Sequence, residues 1–377
     1  MVAMGQDSIS AGIVNCYPGS DIYELEGHTA LRIKGKIHGQ PLDIAVNYGL
    51  FDFDAPNFVY RFVKGETDYW CGVIDWDIFL KSYIRQGRRV TEHPIPLDSV
   101  QSARLISLLQ ENMLPQNRVY RYNYVKDNCA TRPLRIVERA IGDTIIVPQP
   151  EGDDAKDNTF RDVMRRYHAN YPWYQLGIDL ALGSGIDYPI TAREKTFAPI
   201  VLDKQLPLAT VHGRPLTTEP VVIYPGDGDA TMPPTPWYAT PLAAGWAIFA
   251  LLLLATIHDQ RRRKVTRWVD ATLFGIYGIL GLVLTFLIFV SVHEATSPNW
   301  LYLWLNPLSL TVPALIWLKK CKNAIISYHF INFALILTMI IVWPCIRQSG
   351  NAAFVPLIGA DMMRSASTII IYYRTRK

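Results

Sequence analysis

Cysteine is scarce in this chain: five in 377 residues, an odd number. None of the five falls at the spacing of a zinc site, which excludes a metal-knit module. The first residues, Met1 to Gly12, lack a charged start followed by an apolar run, so no signal peptide is read there. The expectation is either a processed form or export that relies on the first membrane helix. Charge of one sign is also sparse. The net +4 is no nucleic-acid footprint, because the basic residues after position 235 sit in short clusters between apolar runs.

What is abundant is apolar sequence, 50% of the chain and unevenly spread. Residues 1 to about 235 read as a water-soluble mixture, with a folded domain over 1–205 and a proline-rich linker over 206–235. Beyond it, residues 236–257, 268–292, 301–318, 324–342 and 353–373 are apolar runs, each about the length that crosses a ~30 Å hydrocarbon core. Five transmembrane helices are therefore expected. The clusters Arg261–Lys264, Lys319–Lys322 and Arg374–Lys377 fall on alternate loops, opposed only by Arg347. The positive-inside rule then makes the C-terminus cytoplasmic and the soluble domain extracytoplasmic, the periplasm for a bacterial inner membrane. On that outer side, His293, Glu294, Asn299 and Asn306 are polar groups suited to a lipid headgroup, while Trp300, Tyr302 and Trp304 suit an interfacial aromatic belt. Asp361 and Arg364, one turn apart in the last span, are expected first as a structural pair and second as a headgroup site.

In the soluble part, Leu134, Val137 and Ile141 recur at helical spacing up to Gly142, and Pro133 suits a first turn. Cys129 is thus placed at a helix start, where free N–H groups and the dipole favour a thiolate and offer an oxyanion hole. Arg132 adds a positive charge nearby. Upstream, His28, Ala30 and Arg32 share one face of a strand, and the next strand, Leu42 to Leu50, puts Asp43, Ala45 and Asn47 on one face. A histidine base needs an acceptor on its second ring nitrogen, so Asn47 is the first expectation for that role and Asp43 the second. The bland alternative makes His28 a strand histidine satisfied by a carbonyl and Asn47 a turn residue before Tyr48. Asn128, Arg132, Asp43 and Tyr48 complete the candidates for oxyanion or substrate contact. Cys16 and Cys71 are read either as a pair or as two unpaired buried thiols. His168 is read as a surface position, with a distant partnership to Cys129 as the lesser alternative. The aromatics of 51–58 are read as core, with an acyl or headgroup pocket as the lesser alternative.

A strand histidine followed by Asn-Cys at a helix start resembles the permuted papain-like arrangement of the NlpC/P60 and lecithin:retinol acyltransferase group. The whole chain resembles the Bacteroides-type lipoprotein N-acyltransferase family, Lnb. The motifs are Tyr23-Glu24-Leu25-Glu26-Gly27-His28-Thr29, Asn47 to Phe53, Tyr122 to Cys129, and Asn299 to Pro307. The resemblance implies an α+β papain-like domain followed by an all-α transmembrane bundle, with Cys129 as nucleophile and His28 as its base. It also implies acyl transfer from a membrane glycerolipid, through a Cys129 thioester, to the α-amine of a diacylated lipoprotein. The partners are the bilayer, a phospholipid or lipoprotein donor and the lipoprotein acceptor; neither metal nor nucleotide cofactor is implied. A tethered cysteine amidase or peptidase acting on the cell wall, a phospholipid deacylase and a non-catalytic scaffold are the alternatives. Five spans favour a lipidic substrate, since one anchor would suffice for tethering.

Overall fold

In a computed structural model, which describes residues 8–37, 39–228 and 231–375, the alternation around His28 becomes a strand in an antiparallel sheet. His38, expected in the turn after that strand, and Arg376 and Lys377 of the last basic cluster lie outside the described residues. The chain divides into two units. One takes in the residues up to Asn170 together with Pro189–Pro233, the other Tyr171–Tyr188 together with the chain from Pro234.

The first unit is built on a seven-stranded sheet: β1 (Ser8–Cys16), β2 (His28–Ile37), β3 (Gln40–Leu50), β4 (Asp68–Asp75), β5 (Val90–Ile95), β6 (Val119–Arg121) and β7 (Val221–Tyr224). Their order is β6-β4-β3-β2-β1-β5-β7. Period-two alternation gives each face its own core. Ile13, Leu31, Ile33 and Val46 pack with Leu105 and Leu109 of α1 (Ser99–Met113) and with Leu134 and Val137 of α2 (Thr131–Ile141). On the opposite face, Val14, Cys16, Ala30 and Ala45 lie with Trp76 and Phe79 of the Trp76–Arg85 helix. Cys16 and Cys71 belong to opposite cores and are unpaired thiols. The prolines after Leu206 do break helical periodicity, but the β-branched run Val221-Val222-Ile223 is recruited as an edge strand on β5. This unit therefore extends to Pro233, beyond the boundary expected at 205.

In the second unit, four helices among the described residues are long and apolar enough to cross a membrane: α4 (Pro241–Arg262), α5 (Arg267–Phe289), α6 (Lys322–Val342) and α7 (Phe354–Arg374). A shorter α3 (Pro172–Ala181) joins them, with Asp179 accepting from Asn351 Nδ2 at 2.8 Å and the Leu180 carbonyl accepting from Asn299 Nδ2 at 2.9 Å. The expected third span, 301–318, is not a continuous helix; it folds as the turns Trp300–Leu303 and Pro307–Leu310 and the short helix Thr311–Leu315. It nevertheless runs the length of α5. The Tyr302 hydroxyl lies 3.1 Å from Thr285 Oγ1 near one end of α5, Leu310 packs on Gly278, and Trp317 lies 4.6 Å, ring to ring, from Trp268 at the other end. At Gly281 a Cβ would stand 2.4 Å from the Asn306 backbone, so glycine is what admits this close approach. Broken backbone at membrane depth is tolerated where protein encloses it.

The basic clusters gather at one end of this unit. Arg374 of α7 donates to Gln260 Oε1 of α4 at 3.4 Å, and Tyr372 donates to Asn323 Oδ1 of α6 at 2.8 Å. Arg364 is fully buried and does not pair with Asp361. It donates to Asp270 at 2.7 Å, to Asp259 at 2.7 Å and to Thr256 Oγ1 at 3.1 Å. Asp361 accepts instead from Asn332 Nδ2 at 2.6 Å and from Ser365 Oγ at 3.3 Å. The i, i+3 spacing allowed a pair, but both carboxylates that Arg364 meets come from other helices.

Candidate active site

His28 opens β2 directly after Gly27, whose φ of 86° lies in the left-handed region. A Cβ at Gly27 would sit 2.5 Å from the Cys16 carbonyl oxygen, so the tight approach of β2 to the end of β1 calls for glycine. Ala30 pairs with Asn47 across the β2–β3 ladder, which sets Asn47 diagonally opposite His28 on the same face. Asn47 Oδ1 lies 3.0 Å from His28 Nε2. The asparagine oxygen can only accept, so Nε2 carries the proton and Nδ1 keeps the lone pair of a base.

Cys129 immediately precedes α2 and is buried at 9% exposure. The backbone N–H groups of Thr29, the residue next to His28, and of Cys129 itself favour its thiolate. The Tyr122 hydroxyl approaches the sulfur at 4.0 Å. The influence of the Thr29 N–H on the sulfur places the thiol near the start of β2, the strand that His28 opens. The turn that holds it is locked by Asn128, whose Oδ1 accepts from the N–H groups of Ala130 and Thr131 at 2.9 and 3.0 Å. Asn128 Nδ2 donates to the carbonyls of Tyr124 and Phe197 at 2.7 and 2.8 Å. Asn128 is thus a strut with its amide fully used, and two N–H groups expected to be free at this helix start are taken by it.

The electrostatics differ from what the helix start alone suggests. Burial pushes the Cys129 thiol above its ordinary 9.0, and the N–H of Thr29 and the hydroxyl of Tyr122 offset this only in part. Burial also pushes His28 down to about 4, with the Arg88 charge adding to the drop and the Asn47 bond opposing it. At neutral pH the pair rests as thiol and neutral imidazole. Desolvation outweighs the helix dipole here.

The other expected residues lie elsewhere. Asp43 is not at His28; it holds Arg32 through two bonds of 2.8 and 2.7 Å. Arg132 is no free cation, because Asp127 accepts two bonds from it at 2.8 and 2.7 Å and its guanidinium lies 3.3 Å over the Tyr120 ring. Tyr48 is fully buried in the core with Cys71 and meets no substrate surface. In the second unit, Asn299 caps the turn at Leu301 and is held by Leu180 and Gln348, the N–H of Trp300 donates to Gln348, and Asn306 caps Leu308. Asn299 and Asn306 are buried there as structural polar groups. The N–H of His293 donates to Ser291 Oγ at 3.3 Å, and its ring is half-buried.

Tyr122, His168 and the aromatics of 51–58 stand elsewhere than the sequence suggests. Tyr122 alternates with Tyr120 and Tyr124 as in a strand, yet β6 ends at Arg121 and a turn delivers Tyr122 to the sulfur. His168 is not on the surface; it is 1% exposed and lies 3.6 Å from Glu26, which is itself 6% exposed. The position of Glu26 two residues before His28 was the available signal. The aromatics at 51–58 are not interior core either. Rings run from Tyr122 to Tyr69 (4.5 Å between centroids), to Phe51 (5.3 Å), and on to Phe53 (4.6 Å) and Phe58 (5.8 Å). The lane ends among exposed Phe53, Val59, Tyr60 and Phe62.

Fold and site together define a membrane protein of several spans whose sheet-rich domain carries a buried cysteine at a helix start and a bonded histidine–asparagine pair on adjacent strands. Residues 4–166 match the Lnb N-terminal periplasmic domain and residues 234–376 match the Lnb transmembrane domain. The chain belongs to the Lnb family, and that membership supports a role of the lipoprotein N-acyltransferase kind. Comparison with curated proteins and with solved structures gives no match.

Proposed function

We propose that this chain is a lipoprotein N-acyltransferase that carries a fatty acyl group on Cys129 in a papain-like Cys-His-Asn site. The observation that carries the reading is the aromatic lane leading from Tyr122, beside the Cys129 sulfur, to exposed rings at the surface. Such a lane suits an acyl chain and has no use for a peptidoglycan stem, which argues against the cell-wall amidase.

In the first half-reaction, His28 Nδ1 takes the Cys129 proton as sulfur attacks the ester carbonyl of a membrane glycerolipid. The backbone N–H of Cys129 and the Tyr122 hydroxyl stand ready to face the oxyanion. The imidazolium then gives its proton to the departing lyso-lipid oxygen, leaving an acyl-thioester. In the second, the α-amine of a diacylglyceryl-cysteine attacks the thioester and the sulfur leaves as a thiol. His28 again carries the proton, with Asn47 holding its ring and tautomer. We place the domain in the periplasm and the C-terminus in the cytoplasm of a bacterial inner membrane. Four helices and the broken segment beside α5 make five crossings, and the basic clusters of the second unit share the end assigned to the cytoplasm.

The test uses detergent-purified protein incubated with phospholipid and no acceptor. Intact mass should show an acyl adduct, removed by neutral hydroxylamine and missing from Cys129→Ala. Addition of a diacylated lipopeptide should discharge the adduct into N-acylated product; discharge only into free fatty acid would make the protein a deacylase. N-acylation by Cys129→Ser at near the normal rate would sink the thioester route.

A further inference from the structure

An amine that enters as an ammonium must shed two protons to become an amide. One of them restores the Cys129 thiol through His28, and the other needs a second base. Resting on the acyltransferase reading above, we propose that the Glu26 carboxylate is that base, receiving the ammonium of the acceptor and taking its first proton.

The placement supports this. Glu26 lies two residues from His28 across Gly27, and its charge reaches the Cys129 sulfur. Its Oε2 accepts from the Tyr124 hydroxyl at 2.5 Å, and the Tyr124 carbonyl in turn accepts from Asn128, the strut of the Cys129 turn. Carboxylate and nucleophile are therefore held by one bonded frame. Its other oxygen, Oε1, is buried with no hydrogen-bond partner among the described residues, 3.6 Å from His168 Nε2. A buried acceptor left unmatched is costly, and a cationic donor resolves it.

The titratable groups around Glu26 are Tyr124, His168 and Cys129, with His28 next along the chain. Burial pushes its carboxyl up to about 7, against the pull of the Tyr124 hydroxyl. A carboxylate with an ordinary value near 4.5 would be too weak a base to hold a proton from an ammonium, whereas one near 7 both takes and releases it at neutral pH.

The proton balance is complete. R–NH3+ passes one proton to the Glu26 carboxylate, and the free amine attacks the thioester carbonyl. The tetrahedral intermediate gives its second N–H proton to His28. The C–S bond breaks, the imidazolium proton returns to sulfur, and Glu26 releases its proton to solvent. A neutral nucleophile needs no Glu26. The carboxylate would thus also favour amines over water as acceptors.

The experiment compares two acceptors on the preformed acyl-enzyme of the full-length protein in detergent. One is a diacylated lipopeptide, whose α-amine titrates near pH ~8 and is mostly ammonium at pH 7; the other is hydroxylamine, mostly unprotonated there. For Glu26→Gln, both discharges are measured on acyl-enzyme formed by that variant, with discharge to hydroxylamine as the internal reference. Discharge to lipopeptide should fall at least about tenfold at pH 7 and recover as pH rises and free amine appears. Glu26→Asp, which keeps a carboxylate, should recover part of the lipopeptide rate. Equal loss with both acceptors would assign Glu26 a structural role, and an unchanged lipopeptide rate would remove it from the reaction; either overturns the inference. A wild type that forms the adduct but never acylates lipopeptide, or forms no adduct, overturns the acyltransferase reading itself and this inference with it.

Discussion

The most exposed consequence of the site's electrostatics is that Cys129 rests as a thiol. A thiol at its ordinary value of 9.0 is ionised to about 1% at pH 7, and burial places Cys129 below that fraction. With His28 pushed down to about 4, its imidazole is protonated to only ~0.1% at pH 7. The two groups therefore do not store an ion pair before substrate arrives. Alkylation of Cys129 by iodoacetamide should rise about tenfold per pH unit from pH 6 to 8.5, with no plateau. The measurement is mass spectrometry of the Cys129 peptide, in a Cys321→Ser, Cys345→Ser background that removes the two cysteines outside the buried set. A fast rate that stays constant between pH 5 and 8 would mean a preformed thiolate–imidazolium pair and would refute the reasoning. The acylation step carries the matching sign. A histidine base fails when protonated, so the acid limb of acylation should lie near pH 4 and not near the ordinary 6.5.

Asn47→Ala should slow adduct formation by about 10- to 100-fold, since His28 loses the acceptor that fixes its tautomer; stopped mass measurements of the adduct report this directly. Glu26→Gln has a stability signature as well as a kinetic one. A carboxyl raised from 4.5 to about 7 in the fold gives stability that is fully present below pH 4.5 and lost as pH rises through 7. The variant should thus match or exceed wild type at pH 8 and lose ground at pH 4.5, by up to about 3 kcal/mol, read from melting curves across pH. Arg364→Met leaves Asp259 and Asp270 buried without their cation, which should cost about 3–5 kcal/mol of stability in detergent. Adding Asp259→Asn and Asp270→Asn to Arg364→Met should recover most of the lost melting temperature; no recovery would mean that packing, not charge, dominates.

How far the sequence could be read depended on the range of the interactions involved. The facing of His28 and Asn47 was legible because two adjacent antiparallel strands obey a period of two, so the diagonal contact follows from counting. The helix after Cys129 was legible from local spacing and Pro133, opening at Thr131. Arg132 was different. Its charge was visible, but a neutralising Asp127 five residues back and a stacked Tyr120 were choices of turn geometry that spacing does not reveal. His168 looked exposed next to Arg165 and Arg166, yet it lies buried 3.6 Å from Glu26, more than a hundred residues away in sequence.

The same contrast separates composition from backbone in the membrane unit. Hydropathy sums over a window, so residues 301–318 registered as a span of the same kind as the other four. Pro307 and Pro313 each lack an amide donor, and Asn306 caps a new turn, so no continuous helix forms through this stretch. A helix interrupted this way would be costly against lipid, and Gly278 and Gly281 answer that cost by letting α5 enclose it. The glycines belong to one span and the prolines to another, and only their pairing explains either. A substitution of Gly281 by leucine should therefore disrupt the packing of residues 301–318 on α5 although it leaves the hydropathy of α5 intact, which is why the apolar runs of this chain do not reveal how their backbone is built.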